Sequence, residues 1–257
     1  MTKLMVFHHL PNPDDRPALE RWFWRHHCPE VLAQAPWMSR YVLYRALPHP
    51  VGAERFAPIN YRVHENWVFG PNERRGTRGL LSMTPEPAEM DVLALNVPAE
   101  PTDDFFGASL RAEETAFIRW VIVFRYPETV EEEEADAWYK HVHAPEVCRQ
   151  PGLLRFFSHR VVPSQSSAIP KSEGQRPFVR KVSPWMAKKW HRVSELWYAN
   201  DSAWRQAMIE NPPQYTPPPW TSGGDYPFLK PWDEYISAFL PERPDEDLMR
   251  NCDWRYF

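Results

Sequence analysis

Two short stretches of the chain have residue types and spacing suited to proton chemistry. HHCPEVLAQAP (26–36) and HVHAPEVCRQPG (141–152) each set histidines ahead of a proline and a glutamate, at the end of an aromatic-rich run. Histidine titrates near neutral pH, so clustered imidazoles in a pocket suit general acid–base work. A histidine at a helix C-terminus also has its charged form stabilised by the helix dipole. The residue before a proline avoids helical geometry, so Pro145 predicts a helix end at this point. His27 and His143 hold the same place in the two stretches, and a functional or a shared structural role would account equally for both.

The two stretches belong to a degenerate tandem repeat. RWFWRHHCPEV (21–31) aligns with AWYKHVHAPEV (137–147), with Trp22/Trp138, His27/His143, Pro29/Pro145, Glu30/Glu146 and Val31/Val147 identical. PWMSRYVLYRAL (36–47) lies over PGLLRFFSHRVV (151–162), matching Arg40/Arg155 and Arg45/Arg160. RVHENWVF (62–69) lies over RVSELWYA (192–199), and the closing segments 90–98 and 234–241 are weaker partners. Matches in the same order in both halves make repetition the first fact about the fold.

Each half reads as strand, helix, strand, strand, helix, strand. FIRWVIVFRYP (117–127) is rich in β-branched and aromatic residues. The acidic run EEEEADAWYKHV suits a helix start, and Ala135, Trp138, Tyr139 and Val142 follow helical spacing. LLRFFSHRVV and WHRVSELWYA are the next strands, DSAWRQAMIEN a short helix and DEYISAFLP the last strand. The first half repeats the plan from LMVFHHLP to DVLALNV, with NERRGTRGLLSM (72–83) as its second helix. The expected class is therefore α+β: two tandem ferredoxin-like βαββαβ halves, 1–110 and 111–241, with a tail at 242–257. Each sheet has one face left apolar, so the two sheets are expected to cover each other and enclose an interior.

An aromatic helix, His-x-Pro-Glu, Pro-Gly with an arginine-bearing strand, and then SELWYAN together resemble the EthD-like members of the dimeric α+β barrel superfamily. The resemblance covers roughly 3–98 and 117–241, so one chain would supply a pseudo-dimeric barrel around a pocket. It implies a histidine from the helix end and polar strand residues facing that pocket. It further implies lyase, isomerase or cyclase chemistry on an aromatic or polyketide-like small molecule, without a cofactor. Haem or metal-dependent oxidation, as in other tandem barrels of the superfamily, and non-catalytic binding of hydrophobic metabolites are the alternatives.

Within that frame His143 and His159 are the expected proton-exchanging pair, with His27 or His64 in support and Arg155 or Arg160 holding an oxyanion. The halves differ at His64 (paired with Ser194), His159 (paired with Tyr44) and His191 (paired with Tyr61), as a barrel with one active pocket should. Tyr44, Tyr61, His191 and Trp197 are accordingly candidate substrate contacts. His8 and His9 on the first strand align with Phe124 and Arg125. Glu65 and Glu195 sit mid-strand among apolar neighbours, so each needs an arginine such as Arg40, Arg62, Arg155 or Arg192, as an ion pair or as a base of raised pKa.

The basic loop 163–189 is an expected anion-gripping or surface loop, and the proline-rich strap 211–232 an expected cover for a barrel mouth. The tail 241–257 is expected to dock on the body or on a second copy in a possible homodimer. A formal charge of −4 points away from nucleic acid, and no apolar run reaches the roughly 20 residues of a membrane helix. The 3 cysteines form neither a disulfide framework nor a metal motif, no confident third and fourth metal ligand appears, and a reducing cytoplasm is the expected setting. With 29 Pro against 9 Gly, the connections should be stiff rather than disordered.

Overall fold

The computed structural model describes residues 1–33, 38–68, 81–107, 117–162, 181, 183–221 and 232–250. The first half runs β1 (Thr2–His9), α1 (Arg16–Trp22), α2 (Cys28–Ala33), β2 (Met38–Arg45), β3 (Arg62–Val68) and β4 (Asp91–Pro98), followed by β5 (Asp103–Gly107). The second runs β6 (Ile118–Arg125), α3 (Glu132–Trp138), α4 (Ala144–Val147), β7 (Leu153–Arg160), β8 (Arg192–Tyr198), α5 (Asp201–Arg205) and β9 (Glu234–Pro241), followed by β10 (Glu246–Asp247). Of the helix expected at 72–83, residues 72–80 lie outside the described residues and 81–83 are irregular. The loop 163–189 is described only at 181 and 183–189, and the Ala-Pro-Trp turn at 35–37 not at all.

Two antiparallel sheets form, in the orders β10-β2-β3-β1-β4 and β5-β7-β8-β6-β9. Each contains the ferredoxin-like order β4-β1-β3-β2 or its repeat β9-β6-β8-β7. To that core each adds an edge strand the sequence did not announce: β5, from the end of the first half, pairs with β7, and the tail strand β10 pairs with β2. The sheets join edge to edge, where the Val162 amide donates to Asn96 and the Leu47 and Ile59 amides donate to Phe239 and Ser237. The architecture is a pseudo-dimeric α+β barrel.

Strand alternation sends one face of each sheet inward and the other beneath helices. Met5, Phe7, Val42, Val63, Leu93 and Leu95 of the first half meet Val121, Val123, Val193, Ile236, Ala238 and Leu240 of the second. Among the described residues the barrel interior is thus a packed core rather than the expected pocket. Two further apolar cores lie outside it, each between a sheet and its own helices.

At one end of the interior sits a buried ion quartet. Arg119 bonds Glu65 at 2.6 Å and Glu195 at 2.9 and 3.0 Å, and Lys3 lies 3.5 Å from Glu65 and 3.9 Å from Glu195. The arginines expected to pair with these glutamates are engaged elsewhere: Arg40 with Asp247, Arg62 with Glu20, Arg155 with Asp104, Arg192 with Asp136 and Asp103. The reason is pleat parity. Lys3 and Arg119 share the inward face with Glu65 and Glu195, whereas Arg62 and Arg192 point to the opposite side. Burial opposes ionisation of Glu65, but Lys3 and Arg119 outweigh it and bring its carboxyl down to about 2.

The helix does not end at Pro145 as expected, and its repeat partner runs through Pro29 in the same way. The Cys28 amide bonds the carbonyl of Phe23, and the Ala144 amide that of Tyr139, so each helix widens into a π turn just before Pro29 or Pro145 and then continues. A regular turn would drive the proline ring into the carbonyl four residues earlier, and the wider turn relieves that clash. Entry to β7 uses Gly152 at φ +73, a conformation that favours glycine.

Glu65→Ala leaves two buried cations sharing one carboxylate, Glu195, and is expected to lower unfolding free energy by about 3–5 kcal/mol. Glu210→Ala, which breaks an exposed pair with Arg205, should change it by no more than about 0.5 kcal/mol. Urea unfolding of both variants checks the contrast, and equal small effects would mean the quartet is not a folding constraint.

Candidate functional site

Three of the histidines, His8, His27 and His64, gather on the outer side of the first sheet. β1 and β3 are antiparallel neighbours with His8 opposite Arg62 and Val6 opposite His64, which places His8, Arg62 and His64 on one face. The π turn above lowers His27 onto that face. The His8 and His64 ring centroids are 4.3 Å apart, and His27 is 6.4 Å from His64. Phe23 packs on both His64 and His27, at 5.0 and 5.4 Å, and Trp22 packs on His27 at 4.9 Å. The Tyr41 hydroxyl stands 3.4 Å from His64 Nδ1 and 4.0 Å from the Cys28 sulfur.

All three imidazoles are buried. Burial first, then the His27 and Arg62 charges, holds His8 well below the usual histidine range. Burial, followed by His8, His27 and Arg62, does the same to His64. Burial brings His27 down to about 4 against the opposing charge of Glu30. The thiol of Cys28 is pushed up to about 12, mainly by burial. At neutral pH the nest is therefore a set of neutral imidazoles beside one fixed cation.

That cation is incompletely matched. Arg62 stacks on Phe23 and reaches both Glu20 oxygens through a single nitrogen, at 2.9 and 2.7 Å. Its Nε and Nη1, both ring nitrogens of His8 and Nε2 of His64 have no hydrogen-bond partner among the described residues. Leaving a buried polar group unpaired costs about 1–3 kcal/mol, so five such atoms in one place call for an explanation.

The second half carries the same plan with the polarity replaced. Phe124 stands at the position of His8, Ser194 at that of His64, Tyr139 at that of Phe23 and Phe156 at that of Tyr41. Arg192, the partner of Arg62, bonds Asp136 and Asp103 at 2.7 Å each and Ser158 at 3.2 Å, and the Tyr139 hydroxyl lies 2.8 Å from Ser194. Trp138, Trp232 and Tyr215 crowd His143 at 5.5, 5.1 and 5.7 Å, leaving only a small gap bounded by Phe124, Val147 and Leu196.

The residues expected from sequence therefore separate. His27 and His64 come together. His143 and His159 lie on opposite sides of the second sheet and cannot exchange a proton directly. His159 belongs to the barrel interior, where burial, with Lys3 adding and Glu195 and Glu65 opposing, sets it at about 4. Tyr44 is also interior, beneath the Arg119 guanidinium at 4.7 Å. Trp197 stacks on Phe117 at 4.3 Å and donates to Glu195. Arg155 and Arg160 are paired with Asp104 and Asp136, each at 3.0 Å. His191 accepts from the Tyr126 amide at 2.9 Å and lies 3.8 Å from Glu132. Tyr61 packs between Arg16 and Arg62. Sequence reasoning missed Arg62 and Tyr41 and left His8 outside the site. The signal for His8 and Arg62 was available, because aligning β1 against β3 places them opposite each other.

Compared with known proteins, the family model for the chalcone isomerase N-terminal domain matches residues 1–97, the half that holds the histidine nest. No curated protein matches the chain. Among solved structures, an anthrone oxidase-like protein is 11% identical over 96% of this chain and 91% of its own, with a TM-score of 0.47. A provisionally assigned monooxygenase from Lactobacillus acidophilus NCFM is 12% identical over 95% of this chain and 96% of its own, with a TM-score of 0.35. Likeness at that level adds nothing to the topology read from the strands themselves. No helix among the described residues is long and apolar enough to cross a membrane.

The depressed histidines give the stability a pH dependence of defined sign. Each is neutral when folded but takes up a proton near pH 6.5 when unfolded, so the unfolded state binds more protons in acid. Their contribution is complete above about pH 6.5 and drains away as pH falls, down to about 4 for His27 and His159 and about 3 for His143. Each should remove about 1.4 kcal/mol per pH unit across its window. Urea midpoints at pH 7 and pH 5 check this, and equal midpoints would contradict it.

Proposed function

We propose that the protein is a cofactor-independent isomerase, cyclase or lyase that moves a proton on an oxygenated aromatic small molecule at the histidine nest of the first half. The observation that carries this is the His8–His64 pair: two neutral, buried imidazoles with unpartnered nitrogens, beside a guanidinium with two unpartnered donors. The match to the chalcone isomerase N-terminal domain falls on the same half and supports this class of reaction. The EthD-like pattern of the sequence supports it too.

In this reading His64 is the base. With its Nδ1 proton directed at the Tyr41 oxygen, its Nε2 presents a lone pair. That lone pair takes a proton from the substrate, and the electrons released move onto a carbonyl or phenol oxygen. Arg62, through Nε and Nη1, stabilises the resulting oxyanion, the charge it is placed to meet. The proton then returns at a different atom, directly from His64 or through His8, which leaves the substrate isomerised and the protein unchanged. His27 and Phe23 hold the His64 ring by packing. At pH 7 the His8 and His64 imidazoles are both neutral, so each has a lone pair with which to accept the proton.

Hydroxychalcones are the first substrates to try, because ring closure removes their enone absorption. His64→Gln and His8→Phe, the latter copying Phe124, are each expected to lower kcat/KM by about 10²–10⁴-fold with melting temperature nearly unchanged. His143→Ala, in the packed half, should keep its turnover. Undiminished rates in both first-half variants, or loss in His143→Ala alone, would overturn the assignment.

A further inference from the structure

An open groove of about 390 Å³ runs beside α1, lined by Trp22, Arg21, Arg25, His26, Ser82 and Met83 among others, with no carboxylate among its described lining residues. Trp22 is its floor, and the same indole packs on His27 from the other side. Arg21 and Arg25 stand one helical turn apart and make no ion pair among the described residues. Like charges at that spacing repel by about 0.2–0.5 kcal/mol, and no contact among the described residues offsets it.

The second half provides an internal comparison. Glu30 takes the amide and hydroxyl of Ser82, and Glu146 takes the amide and hydroxyl of Thr216, so equivalent glutamates clamp the strap beside equivalent helices. The clamped strap of the second half then brings Trp220 edge-on against Trp138, the partner of Trp22, at 5.4 Å, with Trp232 at 6.4 Å. The first-half strap delivers Met83 and Pro85 instead, and no aromatic ring among the described residues covers the groove. Arg21, Arg25 and His26 are Ala137, His141 and Val142 in the second half, where the chain supplies its own ring and needs no cations.

We propose that the groove over Trp22 binds a planar aromatic anion, an aryl carboxylate or phenolate, with its ring against the indole and its charge on Arg21 and Arg25. A ring of the size of an indole is what the chain itself packs on the equivalent tryptophan. A guanidinium pair is suited to an oxyanion because each can donate two parallel hydrogen bonds. Binding here needs no turnover, so the assignment stands apart from the reaction at the nest.

Isothermal titration with 2-naphthoate and its uncharged counterpart 2-naphthamide tests it. Naphthoate is expected to bind the wild-type chain, and to bind it more tightly than naphthamide does. R21Q/R25Q should weaken naphthoate by at least about tenfold while leaving naphthamide unaffected. The two arginines are exposed, so the melting temperature should not move. Trp22→Leu should weaken both probes, and His64→Gln should leave naphthoate affinity as it is. No binding by the wild-type chain, equal affinity for the two probes, or full naphthoate affinity in R21Q/R25Q would overturn the proposal. Loss of naphthoate binding in His64→Gln would overturn it too, by moving the site into the nest.

Discussion

Four charges at one end of the barrel interior hold the two halves of this protein to each other. Lys3 and Arg119 are repeat partners, as are Glu65 and Glu195, so the quartet straddles the pseudo-two-fold relation between the halves and ties them through Arg119–Glu65 and Lys3–Glu195. Each charge is tolerated out of water only because its opposites are in reach. With the quartet at one end and interdigitated aliphatic side chains over the rest, little room is left between the sheets. The polar clusters around Arg62 and Arg192 therefore sit on the outer faces, beneath the helices. There the two halves offer equivalent ground, and they have used it differently.

In the second half the layer under the helix is closed by hydrogen bonds and rings. Asp136, Asp103 and Ser158 engage Arg192, Ser194 meets Tyr139, and Trp232 and Tyr215 pack around His143. In the first half His8, His64 and Arg62 occupy the same framework with fewer partners. One copy behaves as scaffold and leaves the other free to keep buried, poorly satisfied groups, since the barrel as a whole carries the stability that such groups lower.

Much of the fold was legible in the sequence because it rests on local patterns that repeat. Trp22/Trp138, Glu65/Glu195 and the strand alternation located the elements and their order, and the registers of β1 with β3 and β6 with β8 follow that alignment. The edge strands were not legible. DDFFG is too short and too acidic to signal a strand, and its pairing with β7 is decided by tertiary contact. The helix run through Pro145 was misread because proline rules describe a regular turn, whereas a π turn escapes the clash. The candidate site was less legible: His27 and His64, offered from sequence as alternative supports, come to share one face, but assigning His159 to the same pocket as His143 overlooked strand parity. His159 lies one residue past Ser158, which faces the helices, so its own side chain must face the barrel.

The exchanged edge strands bear on how the chain comes to be folded. β10 is laid against β2 some two hundred positions after that strand has been made, with Asp245 accepting from the Arg45 amide. β5, in turn, leaves the first half to complete the second sheet. Neither half is then a finished unit during synthesis. The β2 edge of the first sheet has its partner only once the residues around 245 are present, so the half that holds the histidine nest is completed by chain that follows the second half.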